Sequence, residues 1–172
     1  MTIRKIFTYP DPVLRCEASP ITSFDEELQR LAADMIETMY EAPGVGLAAN
    51  QVGVARQLVV IDVAEDDEEH KALVLVNPEI VEAEGSVVGE EGCLSVLDFN
   101  PNVTRAQHIR VRALNLAGEA QEFEAHDRFA RIIQHEVDHL RGTLIIDRVS
   151  ALKRSLYKNR LKKMLKRQES HD

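Results

Sequence analysis

The chain has no tryptophan and only two cysteines, Cys16 and Cys93, in 172 residues. Two cysteines are too few to staple a disulfide-built scaffold. No apolar run approaches the roughly 20 residues that cross a bilayer, so no membrane partner is expected. The opening Met1-Thr2-Ile3-Arg4-Lys5-Ile6 lacks the apolar stretch of a secretory signal and the Arg/Ser-rich character of an organelle presequence. Linkers, internal repeats and low-complexity blocks are also missing. A reducing, cytoplasmic setting fits these absences, and no DNA partner is expected.

What is present is ordinary for a globular protein: 44% hydrophobic and 29% charged residues. The expected organisation is one domain over residues 1–172, large enough to bury a core. The net charge of −8 conceals an asymmetry. From Arg148 to Arg167 the chain holds nine Lys or Arg and no Asp or Glu; without those nine, 12 basic residues face 29 acidic ones, a charge of −17. Residues 150–168 therefore read as a basic C-terminal helix, suited either to solvent or to an anionic partner.

Chemistry concentrates in three blocks. His135-Glu136-Val137-Asp138-His139 sets two histidines four apart, hence on one face of a helix and within reach of one metal ion. Glu136 stands beside that face, where a carboxylate can act as a base. Glu91-Gly92-Cys93-Leu94-Ser95 offers a lone cysteine, read either as a small buried hydrophobe or as a thiolate ligand. No suitable third ligand follows the helix, so Cys93, His135 and His139 become the expected set, with an open position for water as in catalytic sites. Gly44-Val45-Gly46-Leu47-Ala48-Ala49-Asn50-Gln51 lets backbone approach a ligand, and the Gln51 amide can donate to a developing oxyanion.

These blocks, in this order, resemble the peptide deformylases, which share a Gly-x-Gly-x-Ala-Ala-x-Gln segment, then Glu-Gly-Cys-x-Ser, then Gln-His-Glu-x-Asp-His. The likeness runs from Tyr9-Pro10-Asp11-Pro12 to the helix after Asp147. It implies hydrolysis of the N-formyl group of newly made formyl-methionyl polypeptides, with release of formate. It implies one ferrous ion per chain, replaceable by zinc, nickel or cobalt. By the same resemblance Glu136 is the base, and the Gln51 side chain and Leu94 backbone N–H steady the oxyanion. The peptide would lie extended against Val45, Gly46 and Gly92, and the C-terminal helix would dock near the ribosomal exit. Glu91 and Arg105 are expected to pair, and Asp138 either braces a turn or is solvated.

Two arginines depart from the family pattern. Arg128 and Arg131 stand where small and apolar residues are usual, on the face of the helix that lines the methionine pocket. Either they lay aliphatic stems over the pocket rim, or they alter substrate preference. A metallopeptidase-like amide hydrolase is the competing enzyme reading, and a fold kept as a binding module is the non-enzymatic one.

For the fold, the pattern predicts an α+β domain with an N-terminal and a C-terminal helix, and the resemblance implies antiparallel or mixed sheets wrapped around the central metal-binding helix. Ser23-Phe24-Asp25-Glu26 reads as a capping box ahead of Leu28, Leu31, Met35, Ile36 and Met39. Strands are expected at Leu58–Ile61, Leu73–Val76, Ile80–Ala83, Ile109–Leu114, Gln121–Ala125 and Thr143–Ile146. Asn77-Pro78 should end the second strand, Glu65-Asp66-Asp67-Glu68-Glu69 should form a solvated loop, and Asp127 is a candidate cap for the metal helix. In the last helix, Val149, Leu152 and Leu156 are expected to pack, while the arc of Tyr157, Leu161, Met164 and Leu165 projects.

Overall fold

A computed structural model describes residues 2–66 and 68–171, apart from the His171 side chain. Asp67 of the acidic loop, Met1 and Asp172 lie outside the described residues. Three helices accompany seven strands: α1 (Glu26–Glu41), α2 (Asp127–Leu140) and α3 (Ala151–His171) with β1 (Gly46–Ala48), β2 (Leu58–Asp62), β3 (Ala72–Glu84), β4 (Val87–Glu90), β5 (Asn102–Arg105), β6 (His108–Leu114) and β7 (Ala120–His126). The larger sheet has the order β1-β2-β3-β6-β7, and β4 pairs with β5 alone. All these pairings are antiparallel.

The apolar patterns explain the layering. β2 is buried along its whole length because both faces are covered. Leu58 and Val60 meet Leu28, Leu31, Met35 and Met39 of α1. Val59 and Ile61 point the other way, onto Ala130, Ile133, Val137 and Leu140 of α2. β6 alternates instead: Ile109, Val111 and Ala113 face α2, while Arg110 and Arg112 face solvent. α2 is thus held inside the sheet, and its ligand face turns toward β1 and the loop after β4. Burial of each such aliphatic side chain contributes about 1.5–3 kcal/mol. No helix is long and apolar enough to cross a membrane among the described residues.

Several expectations need correction. The α1 cap is Asp25, whose Oδ1 accepts from the Leu28 N–H at 3.0 Å, not Ser23. Asn77-Pro78 does not end a strand. β3 runs through it with a bulge, Asn77 taking φ 52°. The Asn77 side chain exchanges two hydrogen bonds with the Ile21 backbone, and Pro78 is tolerated because a bulge needs no ladder donor there. Thr143–Ile146 is not a strand; Ile145–Arg148 forms a 3-10 turn, with Asp147 accepting from the Leu144 N–H at 2.8 Å. Asp127 is the first residue of α2, not its cap, which is His126 with no side-chain cap bond. β1, β4 and β5 were not anticipated, being three or four residues long and rich in glycine or polar residues.

The α3 expectation holds for Val149, which packs on the core, and for exposed Leu165, and fails for the residues between them. Leu152 and Leu156 are 69% and 60% exposed, whereas Tyr157 and Leu161 are buried. Tyr157 packs edge-on against Phe99, with centroids 4.6 Å apart, and donates to the Leu97 carbonyl at 3.0 Å. A ring that fills a pocket and satisfies its hydroxyl outcompetes two leucines on the opposite arc. Lys158, Lys162, Lys163, Lys166 and Arg167 remain exposed, as expected.

Candidate active site

One turn apart on the buried face of α2, His135 and His139 bring their Nε2 atoms within 3.2 Å. The tight turn Cys93–Val96 delivers a third group, with Cys93 Sγ 3.3 Å from His139 Nε2 and accepting from the Ser95 N–H at 3.4 Å. The three candidate ligand atoms lie within 4.8 Å of one another. A thiolate and two imidazoles converging this closely suit zinc or a first-row divalent ion. Burial, then the neighbouring His135, drives the His139 pKa well down and keeps that ring neutral, as a ligand must be. His135 is also buried, yet Cys93 and Glu91 outweigh desolvation and hold its pKa well up. A cation at Nε2 would take the place of that proton.

A charged network orients the first histidine. Glu91 Oε1 lies 3.0 Å from His135 Nδ1, which fixes the proton there and turns the Nε2 lone pair toward Cys93 and His139. Arg105 donates to both oxygens of Glu91 at 2.9 Å and to Asp138 at 2.7 Å. Asp138 in turn accepts two bonds from Arg148, so it braces the site and is not solvated. Burial raises the Glu91 pKa, but the bonds from Arg105 and His135 outweigh it and hold the carboxyl at about 2.

Glu136 points the other way. Its Oε2 is buried without a hydrogen-bond partner, and Oε1 lies 3.8 Å from His135 Nε2. Desolvation pushes its pKa up to about 7, the range that suits a base in neutral solution. Gly46 passes so close that a Cβ there would crowd the Glu136 carboxylate at 3.0 Å. The Gln51 amide faces the same space: its Nε2 donates to Ser95 Oγ at 3.0 Å and lies 3.9 Å from Cys93 Sγ. Its Oε1 accepts from the Ala48 N–H at 2.9 Å, which anchors the side chain.

These groups open onto a cleft of about 560 Å³. Val45, Gly46, Gly92, Leu94, Arg128 and Arg131 all line it, together with Ile132. The two arginines differ. The Arg131 guanidinium is occupied: it donates to Glu91 at 2.6 Å and to the Val103 and Val87 carbonyls, each at 2.8 Å. Gly89 makes room for it, since a Cβ there would meet the guanidinium at 3.1 Å. Arg128 forms no hydrogen bond or ion pair of this kind among the described residues and is exposed.

The family model described as polypeptide deformylase matches residues 3–155. The chain belongs to the polypeptide deformylase family. It is 50% identical to a peptide deformylase of Acidobacterium capsulatum over 95% of this chain and 96% of that protein. The corresponding protein of Desulfotalea psychrophila is 52% identical, over 95% and 97%. Its structure resembles that of a peptide deformylase from Legionella pneumophila with a TM-score of 0.89 and 45% identity, covering 99% of each chain. The metal dependence of deformylases fits the Cys93, His135 and His139 cluster.

Within this deformylase, sequence reasoning did not anticipate that Ser95 accepts from Gln51, or that Glu91 bonds His135 and Arg131 as well as Arg105. Ile132 was missed as a cleft residue as well, although its place three residues before His135 on the helix was a signal for it. The polar contacts had no local signal, because the partners are 40 or more residues apart.

Proposed function

We propose that the cleft hydrolyses the N-formyl amide of formyl-methionyl peptides newly made by the ribosome. The observation that carries this reading is the unpartnered Glu136 carboxylate beside three convergent ligand atoms. A divalent ion held by Cys93, His135 and His139 supplies Lewis acidity toward water and the formyl carbonyl. Glu136 accepts the proton of the attacking water as its oxygen bonds to the formyl carbon. The Gln51 amide and the Leu94 N–H donate to the oxygen that becomes negative. Glu136 then passes the proton to the leaving nitrogen as the C–N bond breaks, releasing formate and a free amino terminus. Val45, Gly46 and Gly92 offer backbone to an extended peptide, a mode of recognition that reads little sequence.

Ferrous iron is the proposed native ion, one per chain, with zinc, nickel or cobalt able to replace it. A thiolate and two imidazoles accept all four, and the thiolate makes the ferrous form sensitive to oxygen. The proposed setting is the cytoplasm, where the chain acts as one catalytic domain. The exposed lysines of α3 are proposed to dock on the anionic ribosome.

The metallopeptidase reading loses its support because the third candidate ligand is upstream, at Cys93. Altered side-chain preference remains a second reading for Arg128 alone, since the Arg131 guanidinium is spent on the protein itself. A formate-release assay on formyl-Met-Ala, with an acetylated and a free peptide as controls, tests the main reading. Formate from the first substrate alone is expected; cleavage of internal peptide bonds, or no turnover by iron-loaded protein, would refute it. In the same assay Arg128→Leu should shift the preference between formyl-Met and acidic formyl peptides if Arg128 contacts the side chain. An unchanged ratio leaves Arg128 as a cover for the rim.

A further inference from the structure

The solvent face of the larger sheet carries a second group of ligand-type side chains. His108 on β6 stands opposite His126 on β7, and their rings stack with centroids 4.3 Å apart. Glu124 projects from the same face as His126, because side chains alternate along a strand. Its Oε1 lies 3.5 Å from His108 Nε2. One ligand atom from each of the three falls within 4.8 Å of the others. On the other side β3 sets Glu84 opposite His108, with Oε2 3.7 Å from Nδ1.

The two carboxylates play different parts. Glu84 lies on the Nδ1 side of the ring, the side on which carboxylates stand behind metal-ligating histidines, and Glu124 lies on the Nε2 side. His108 Nε2 is itself buried and has no hydrogen-bond partner. A surface histidine ordinarily gives both nitrogens to water or to a neighbour, so a shielded, unpartnered nitrogen beside a second imidazole and a carboxylate calls for a cation.

We propose that His108, His126 and Glu124 form a second metal site, for a borderline divalent transition ion such as Zn2+. Two imidazoles and one carboxylate are a zinc ligand set, and the 3.5 Å between His108 Nε2 and Glu124 suits ligands that each lie about 2.0–2.2 Å from one ion. The stacked rings are only 7° apart in orientation, so binding one ion through both requires the exposed His126 ring to rotate about its Cβ–Cγ bond. Among the described residues, Arg110 alone competes for Glu124, at 3.9 Å. His126 immediately precedes α2, so occupancy would tie β6 to β7 at the entrance of the helix that carries His135 and His139. Open to solvent and lacking a thiolate, this site binds more weakly than the Cys93 centre and takes no part in hydrolysis.

Protein preloaded with one zinc per chain at the Cys93 centre tests this by titration with Zn2+, read by calorimetry and by metal content after dialysis. The intact protein should take up a second equivalent, and its Tm should rise with added zinc. A His108→Gln, His126→Gln double variant should lose both effects while keeping its first zinc and its activity. Glu124→Gln, a milder change, should weaken the second equivalent by about 10-fold or more. The ring signals of His108 and His126 in NMR spectra should move together on zinc addition. No second equivalent in the intact protein, uptake unchanged in the double variant, or zinc-induced shifts confined to other histidines would each overturn the proposal.

Discussion

His135 and His139 stand one turn apart on a helix packed inside the sheet, whereas His108 and His126 face each other across two strands on its outer side. Each pair comes with one further candidate ligand, and in each cluster the candidate atoms lie within 4.8 Å of one another. What separates them is the surroundings. Inside, Glu91 holds His135 by its Nδ1, Arg105 holds Glu91 with two bonds, and both are about 5% exposed. Outside, Glu84 and Glu124 are 76% and 52% exposed and approach His108 no closer than 3.5 Å. Convergence of ligand atoms is therefore cheap to arrange on either face of a sheet. A rigid, dry setting that fixes tautomers and shifts a carboxylate to neutral pKa is made only inside.

The largest expected effects separate ligand from base within the buried cluster. Cys93→Ser should lose most bound metal and, with it, activity. Glu136→Gln should keep about one metal per chain while kcat/KM falls by about 10²–10⁴-fold. Metal analysis beside a formate assay checks this; a metal-free Glu136→Gln protein, or a metal-replete Cys93→Ser protein, would undo the assignment of roles.

A smaller effect contrasts the arginines of the two regions. Arg105→Leu leaves Glu91 and Asp138 as buried charges without their main partner and should cost about 3–5 kcal/mol by denaturant unfolding. Arg110, 40% exposed with carboxylates at 3.4–3.9 Å, should cost no more than about 1 kcal/mol when changed to leucine. Acid resolves the same contrast. Folding lowers the Glu91 pKa from 4.5 to about 2, so its stabilisation is complete above pH 4.5 and is lost as pH falls toward 2. Arg105→Leu should therefore move acid unfolding to higher pH, and Arg110→Leu should leave it in place. Equal shifts in the two variants would mean that burial does not set the difference.

The smallest effect on catalysis is expected at α3. Deleting residues 162–172 keeps the Tyr157 and Leu161 anchors and removes Lys162, Lys163, Lys166 and Arg167. Activity on a short formyl peptide should change less than about two-fold, since these residues lie outside the cleft. Co-sedimentation with ribosomes at low salt should weaken, and that of the intact protein should fade as salt rises. Co-sedimentation unaffected by the deletion would reduce the basic run to a solvated tail.

Long periodic or apolar segments were legible in the sequence. α1, α2, β2, β6 and β7 fall where spacing places them, because each buries a face whose periodicity is written in consecutive residues. Asn77-Pro78 misled because a turn signal and a bulge use the same residues, and only the bonds to Ile21 distinguish them. The arc that packs on α3 was equally hidden. Two apolar arcs compete there, and the winner depends on Phe99 and the Leu97 carbonyl, more than 55 residues away.

The sequence by itself determined the helix that pairs His135 with His139, the Glu136 beside them and the candidacy of Cys93, since helical spacing and ligand chemistry are local properties. Tertiary structure decided the rest. It brought Cys93 within 3.3 Å of His139, buried Glu136 enough to lift its pKa to about 7, and made the cleft-lining Arg131 a clasp on β4 and β5. It also set His108 against His126. Distances between segments far apart in the chain, and the desolvation that shifts a pKa, exist only once the chain has closed around them.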